Sequence, residues 1–326
     1  MPQTAPTVPH TLQTLLDDLH DKHRNNSEGH VATYIPELSR ACPDKFGVCV
    51  ATANGQLFEA GDCDRPFTIQ SISKPFTYGL AMDEFGPDKV LEFVGVEPSG
   101  DAFNSIELHG LTNRPFNPMI NTGAITVTAM LHAKHRDDTF DHLLECFSTI
   151  AGRQLSIDED VYESERRTGH RNRAIAHLLL NFGVVHDEAE AALDVYFKQC
   201  AIQVTARDLA MMGATLANMG CNPVTGRSAF SIRYVKDILS IMFTCGMYDY
   251  SGQWAYRVGV PAKSGVAGGV MAVVNRQLGI GTYSPRLDRY GNSVRGTEVC
   301  IDLASRLGLH VFDCVNVGSN FLDAIL

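Results

Sequence analysis

The sequence lacks the cysteine patterns that cross-link small proteins or hold structural zinc. Nine cysteines occur among its 326 residues, an odd number, and none of them forms a Cys-x-x-Cys pair. A disulfide framework and a cysteine-bound zinc ion are therefore not expected. We predict instead that the thiols are reduced and mostly buried, as is usual in a cytoplasmic protein.

The sequence also lacks an excess of positive charge and any long apolar run. The formal net charge is −10, which disfavours nucleic acids and anionic membranes as partners because both attract basic surfaces. A short basic group within residues 166–173 is expected to be a solvated helix face. The apolar stretch at 266–274 is too short and too rich in glycine to cross a bilayer. Residues 1–8 show no basic segment followed by an apolar run, so no signal peptide is predicted.

Several common site motifs are missing as well. The sequence contains no P-loop, no Gly-x-Gly-x-x-Gly and no Gly-x-Ser-x-Gly. His132 and His135 lie three residues apart on a predicted helix, a spacing that suits a metal, but no carboxylate-rich zinc motif accompanies them. We therefore expect neither a metal nor an organic cofactor.

Hydrophobic periodicity predicts strands near both chain ends and helices between them. Apolar residues make up 44% of the chain, enough for a large core. Asn54-Gly55 is a strong hairpin signal, and Thr205 with Asp208 predicts a capped helix start. The predicted helices cover 10–24, much of 71–200, the segment that opens at 205, 231–247 and 294–307, and the predicted strands cover 46–53, 56–60, 262–264, 270–275 and 278–283.

The simplest fold with this order of elements is of the α/β class, in its α+β form. Strands from both chain ends form one antiparallel sheet that the terminal helices cover, because a hairpin alone is only marginally stable. We expect a loose tail at 1–9 and a single domain over 10–326. Its sheet lobe is predicted at about 10–70 and 255–315, and its inserted helical lobe at about 71–254, with a cleft between the two.

The segment Ser71-Ile72-Ser73-Lys74 places a serine and a lysine on one helix face, one turn apart. A serine hydroxyl becomes a good nucleophile only when a base takes its proton, and a lysine can do so if burial or a nearby positive charge lowers its pKa. Pro75 is tolerated only in the first turn of a helix, so the helix should not begin much before Ser71. For so short a motif, an exposed helix start with a solvated lysine is the usual alternative.

Lys263-Ser264-Gly265 is a second candidate motif, at the start of a predicted strand. Serine enzymes of the β-lactamase and penicillin-binding class combine Ser-x-x-Lys with a later Lys-Thr-Gly. A backbone N–H in the glycine-rich segment that follows could pair with the N–H of Ser71 in an oxyanion hole. The middle motif of that class is absent in clear form, and Tyr248 is the candidate third member because a phenol near two lysines could relay protons. A glycine-rich turn and an interface tyrosine remain open as structural readings.

Longer segments resemble the serine-dependent glutaminases, which have the fold shared by β-lactamases and penicillin-binding proteins. The resemblance runs from about Thr33 to Asp313, with its segments in the order of the family. They cover 34–38, 70–75, 117–124, 164–166, 171–172, 247–252, 261–269 and 291–296. The resemblance implies an enzyme of glutamine metabolism that hydrolyses L-glutamine to L-glutamate and ammonia, and it implies a homo-oligomer, either a dimer or a tetramer.

The resemblance also implies roles for individual residues. Ser71 would attack the side-chain amide of glutamine through an acyl-enzyme, and the amides of Ser71 and Val266 would hold the oxyanion. Either Lys74 or Tyr248 could take the serine proton. The catalytic set implied by the resemblance is Ser71, Lys74, Tyr248 and Lys263, and the substrate-binding set is Ser71, Asn121, Glu165, Asn172, Tyr196, Tyr248, Val266 and Tyr34. A carboxylate such as Glu165 suits the substrate ammonium, and neutral donors suit its carboxylate.

These residues also have ordinary structural readings. Asn121 could cap the helix after Pro118, Glu165 could pair with a neighbouring arginine, and Tyr196 could simply pack between helices. Two rival functions keep the same fold: a β-lactamase-like or esterase-like serine hydrolase on another substrate, and a non-catalytic amino-acid-binding protein. Arg167 and His170 stand where many relatives carry acidic residues, so a more basic pocket rim is expected.

Overall fold

The structure is a computed structural model that describes residues 11–99, 106, 108–185 and 189–313. The predicted tail at 1–9 lies outside the described residues. The helices are α1 (Leu12–His23), α2 (Lys74–Phe85), α3 (Pro87–Phe93), α4 (Asn121–His135), α5 (Thr139–Ala151), α6 (Glu159–Thr168), α7 (His170–Asn181), α8 (Ala189–Cys200), α9 (Ala206–Ala217), α10 (Val235–Cys245), α11 (Ser251–Arg257) and α12 (Val294–Leu307). The strands are β1 (Gly47–Thr52), β2 (Leu57–Gly61), β3 (Phe67–Thr68), β4 (Gln203–Val204), β5 (Ala262–Gly265), β6 (Gly269–Val274) and β7 (Leu278–Tyr283).

Strands from both chain ends form one antiparallel sheet, as predicted. Its order is β2-β1-β7-β6-β5, so the N-terminal hairpin pairs with the last strand of the C-terminal meander. The turn at Asn54-Gly55 is confirmed: Gly55 has φ +87°, and Thr52 and Gln56 are hydrogen-bonded across it. A positive φ suits glycine because it has no Cβ. The short strands β3 and β4 pair separately.

Helices cover both faces of the sheet. Along β1, Val48 and Val50 belong to the core beneath α1 and α12, whereas Cys49 and Ala51 face the core that includes α9. Helix α9 falls within the predicted helical lobe, but in the structure it packs on the sheet. A Cβ on Gly279 would overlap the backbone of Ala214, so glycine permits this close approach.

The start of α9 follows the predicted capping box. The side chain of Thr205 accepts from the N–H of Asp208, and the side chain of Asp208 accepts from the N–H of Thr205. Asp208 also binds Arg153, which anchors the start of α9 to the segment that follows α5. Two free N–H groups of the helix start are thereby satisfied, and the helix begins at a fixed residue.

A turn of 3₁₀ helix over Gln70–Ser73 leads directly into α2. Pro75 lies in the first turn of α2, and the α-helix begins at Lys74, so the prediction of a start not much before Ser71 is confirmed. Strand β5 approaches this turn closely, because a Cβ on Gly265 would lie 2.9 Å from the carbonyl oxygen of Ile69. The two predicted motifs therefore meet in space.

Candidate active site

Ser71 is held in a turn whose polar groups are bonded on several sides. Gln70 has a φ of +49°, which is rare for a residue with a Cβ, and its amide donates to the hydroxyl of Thr68 at 3.2 Å. The hydroxyl of Ser73 donates to the carbonyl of Gln70 at 2.7 Å and accepts from Gln199 at 2.9 Å. This support fixes the position of Ser71, which is itself buried.

Tyr248 is the residue that contacts the hydroxyl of Ser71. The two side chains are hydrogen-bonded, and the phenol donates to the carbonyl oxygen of Ser264 at 3.0 Å. Burial raises the pKa of Tyr248 above its usual value, and the hydrogen bond from Ser71 offsets only part of this rise. The raised pKa favours the protonated phenol at neutral pH.

Lys74 is buried and directed toward the start of α4. Its amine donates to the side-chain oxygen of Asn121 at 2.7 Å. Burial lowers the pKa of Lys74 to about 8, although nearby Cys200 and Glu165 act in the opposite direction. An appreciable share of the amine is thus neutral near physiological pH, which is the state required of a general base.

Lys263 is also fully buried, but its amine has different partners. It donates to the carbonyl oxygens of Gly246 at 3.0 Å and Ser264 at 2.9 Å, and it lies 4.3 Å from the centre of the Tyr248 ring. Burial and the positive charge of Lys74 hold the pKa of Lys263 well below its usual value. These contacts connect Lys263 to Ser71 through Tyr248.

Asn121 connects the buried lysine to the substrate-binding side of the site. Its amide donates to the side-chain oxygen of Asn172 at 3.0 Å, and its own oxygen accepts from Lys74 and, more weakly, from Tyr196 at 3.4 Å. The helix-cap reading of Asn121 is wrong, because no side-chain cap is formed at the start of α4 in the described residues. Tyr196 both packs in the helical core and bonds to Asn121, so its two readings hold together.

Glu165 is a buried carboxylate with unused hydrogen-bonding capacity. It is 5% exposed, and among the described residues nothing donates to its Oε2. Burial raises its pKa to about 8, although Lys74 and a hydrogen bond from Gln70 lower it in part. The alternative of a surface ion pair is wrong, since the neighbouring Arg166 binds Glu163 at 2.9 Å.

A cavity of about 110 Å³ brings most of these side chains together. Tyr34 lies at its rim with 56% of its surface exposed. The predicted residues that line this cavity are Tyr34, Ser71, Asn121, Glu165, Asn172 and Tyr196. Lys74 and Tyr248 do not line it but reach it through Asn121 and Ser71. Val266 is buried beside Tyr248, since a Cβ on Gly291 would lie 3.7 Å from that ring and 3.8 Å from Val266.

Six other residues line the cavity without a predicted individual role: Ile35, Gln70, Thr168, Gly169, Arg171 and Cys200. Cys200 follows Tyr196 by four residues on α8, a spacing that predicts one helix face and could have identified it. No sequence pattern predicts the positive φ of Gln70. Arg171 belongs to the basic group at 166–173 that was predicted to be a solvated helix face. It is exposed, as predicted, but it also lines the cavity. Arg167 and His170 are exposed and do not line the cavity.

The fold is of the β-lactamase-like class, and its candidate site has a buried serine, a buried lysine one turn later and a tyrosine on the serine hydroxyl. A family model described as Glutaminase matches residues 29–312. The chain belongs to the glutaminase family. In the described part of the chain, no helix is both long enough and apolar enough to span a membrane.

Relatives of similar length support this assignment. The chain is 54% identical over 309 residues to a protein named glutaminase from Trichormus variabilis, covering 95% of this chain and 92% of that protein. It is 44% identical to glutaminase 2 from Clostridium perfringens, covering 92% of this chain and all of that protein. A solved probable glutaminase from Bacillus subtilis, complexed with 6-diazo-5-oxo-L-norleucine, superposes with a TM-score of 0.86 at 36% identity and covers 95% of this chain and 99% of that one.

Proposed function

We propose that this protein hydrolyses L-glutamine to L-glutamate and ammonia through an acyl-enzyme on Ser71. The observation that carries the proposal is the buried carboxylate of Glu165, whose Oε2 faces no donor within the described residues and which shares a cavity with Ser71. A free amino acid supplies the missing partner through its ammonium group. The glutamine analogue bound to the relative from Bacillus subtilis supports the same substrate class.

Recognition would rest on opposite charges at the two ends of the amino-acid group. The substrate ammonium donates to Glu165, and this charge-assisted bond favours the ionised carboxylate that burial alone disfavours. The amides of Asn121 and Asn172 and the hydroxyl of Tyr196 would orient the substrate carboxylate, with the cation of Arg171 nearby. The small cavity suits a small ligand, since sites for drug-sized molecules measure roughly 300–1,000 Å³.

Acylation would move one proton from the serine to the leaving group. Neutral Lys74 takes the proton of Ser71 while the serine oxygen attacks the amide carbon, and Tyr248 relays or orients that proton. The tetrahedral oxyanion is held by the amides of Ser71 and Val266. Protonated Lys74 then gives its proton to the departing nitrogen, so ammonia leaves and the γ-glutamyl ester remains on Ser71.

Deacylation would run through the same groups in reverse. Neutral Lys74 takes a proton from water, the resulting hydroxide attacks the ester, and the proton returns to the oxygen of Ser71. The net change is the addition of one water to the amide. The raised pKa of Tyr248 favours Lys74 as the base, because a protonated phenol accepts a proton only while it gives up its own.

The test is a substrate panel. Ammonia release should be strong with L-glutamine and much weaker with L-asparagine, whose shorter side chain does not reach Ser71 when its ammonium is bound. Hydrolysis of a chromogenic lactam without glutamine turnover would favour the rival hydrolase, and calorimetric glutamine binding without ammonia release would favour the binding protein.

We also propose that the protein acts in the cytoplasm as a homo-oligomer. Support for the first point comes from the described cysteines, all of which are free thiols and most of which are buried. Support for the second is the family resemblance alone. Light scattering of the purified protein tests for the oligomer. A molar mass equal to that of a monomer across the working concentration range would overturn the proposal of a homo-oligomer.

A further inference from the structure

A second cluster of titratable side chains lies at the opposite ends of two active-site helices. Glu84 is near the end of α2, His135 is the last residue of α4, and His142 is in the first turns of α5. Nε2 of His135 lies 2.7 Å from one carboxylate oxygen of Glu84, and Nε2 of His142 lies 2.7 Å from the other. The two imidazole rings stack with centroids 4.3 Å apart.

These three groups form the donor set of a transition-metal site. Their ligand atoms all lie within 4.8 Å of one another, and two imidazole nitrogens with one carboxylate oxygen suit Zn²⁺ and its neighbours in the first row. Metal–ligand bonds of about 2.0–2.2 Å put adjacent ligand atoms roughly 3.3 Å apart in a tetrahedral site. Each nitrogen–oxygen contact therefore needs to open by only about half an ångström, and the Nε2 proton of each imidazole must move to Nδ1 or be released to water so that Nε2 can bind the metal.

The groups around the cluster leave this rearrangement feasible. Lys134 donates to Glu84 at 2.8 Å, but its side chain is 46% exposed and its amine also lies 5.4 Å from the ring of Phe85. It can release the carboxylate and keep its aromatic contact. Glu84 itself is only 11% exposed, and its carboxylate is bonded by Lys134, His135 and His142, so both of its oxygens are already directed at the cluster.

We propose that Glu84, His135 and His142 form a binding site for one divalent transition-metal ion of the Zn²⁺ type, which links the ends of α2, α4 and α5. The site is separate from the catalytic centre: from Lys74 to Glu84, α2 rises about 15 Å. Its role is to hold the helical lobe together and not to activate substrate.

The proposal revises the expectation of no metal site. That expectation considered His132 with His135, but His132 bonds to Thr139. His135 instead pairs with Glu84, which is distant in sequence, and lies beside His142, which follows a turn. No short sequence motif contains all three residues.

Cobalt and zinc titrations of the metal-stripped full-length protein test the proposal. We expect one equivalent of Co²⁺ to bind with the visible d–d bands of a nitrogen and oxygen site, and Zn²⁺ to displace it. Zinc should raise the Tm by a few degrees, since a ligand that binds only the folded chain stabilises it. The substitutions His142→Ala and Glu84→Gln should each weaken binding at least tenfold, whereas His177→Ala should not, although His177 also pairs with a glutamate at 2.9 Å.

Two outcomes would overturn the site. The first is wild-type spectra with only sulfur-to-cobalt charge-transfer bands, because the described free cysteines would then be the ligands. The second is unchanged affinity and stoichiometry in both variants, with circular dichroism confirming that they fold. The wild-type spectrum decides the question even if one variant is unstable.

Discussion

Replacing Glu165 with glutamine removes the charge that we assign to the substrate ammonium while keeping the shape of the side chain. The carboxylate is buried in a residue that lines the cavity, its Oε2 has no hydrogen-bond partner among the described residues, and burial is the main cause that raises its pKa to about 8. A bound ammonium compensates that burial. The variant should therefore lose substrate binding without losing the fold.

The magnitude follows from the strength of a charge-assisted hydrogen bond. Such a bond contributes about 1.5–3 kcal/mol, and each 1.36 kcal/mol corresponds to a tenfold change, so kcat/KM should fall roughly 10- to 150-fold. The ammonium lies away from the reacting amide and is bound equally in the ground state and the transition state. The loss should therefore appear mainly as a higher KM, with kcat little changed.

The assay compares L-glutamine with glutaramate, which has the same amide but no ammonium. Wild type should strongly prefer glutamine over glutaramate. Glu165→Gln should lose most of this preference because a neutral amide does not form an ion pair with the substrate ammonium. Glu163→Gln is the matched control, since the side chain of Glu163 is 47% exposed and pairs with Arg166 at 2.9 Å. A fall of less than threefold, or a loss confined to kcat with the preference intact, would refute the assignment.

The same variant has a predictable effect on stability. For an acid whose folded pKa is raised above its unfolded value, stability is fully present below the unfolded pKa of about 4.5 and declines as pH rises toward the folded value of about 8. Glu165→Gln removes this decline, so without ligand its Tm should equal or exceed that of wild type between pH 7 and 8. A lower Tm there would mean that Glu165 supports the fold.

Three further predictions follow from the lysine, the tyrosine and the capped helix. The value of kcat/KM should rise with pH through about 8 and then level off as Lys74 loses its proton, and a flat pH profile in wild type would exclude this base. Lys74→Met should lower kcat at least about 10³-fold at every pH. Tyr248→Phe should lower kcat by about 10- to 10³-fold with little change in KM, measured by ammonia release, and full activity would exclude a proton relay through the phenol. Asp208→Ala should reduce the free energy of unfolding by about 2–4 kcal/mol in urea titrations while kcat stays within twofold, because it removes the partner of Arg153 and the carboxylate half of the capping box with Thr205. Unchanged stability would contradict the role of this carboxylate.

Local chemistry explains why parts of the fold could be predicted from the sequence. Asn54-Gly55 permits a tight turn, and Thr205 with Asp208 satisfies the N–H groups of a helix start, so both features depend on residues within four positions. The terminal helix was predicted at its observed bounds for the same reason, since its apolar residues recur with the helical period.

Other parts depend on contacts between distant segments, which no local pattern contains. The packing of α9 on the sheet depends on small residues on both elements, such as Gly279 opposite Ala214. The positive φ of Gln70 is set by the surrounding turn. The grouping of Glu84 with two histidines needs three helices to converge.

The candidate site shows the same division. The serine and its lysine lie one turn apart, so their proximity follows from the chain itself. Glu165 and Asn121 join them only through the packing of α4 and α6, and their roles came from the family resemblance. Their burial and the hydrogen bonds that link them to the neighbouring site residues are seen only in the structure.

The central claim is an acyl-enzyme on Ser71, and trapping with hydroxylamine tests it most directly. Hydroxylamine competes with water for the γ-glutamyl ester, so wild type with L-glutamine should form γ-glutamyl hydroxamate together with ammonia. Ser71→Ala, shown by circular dichroism to be folded, should lose both products by at least about 10⁴-fold, as expected when a nucleophile is removed. Retention of either product within tenfold of wild type would contradict the account.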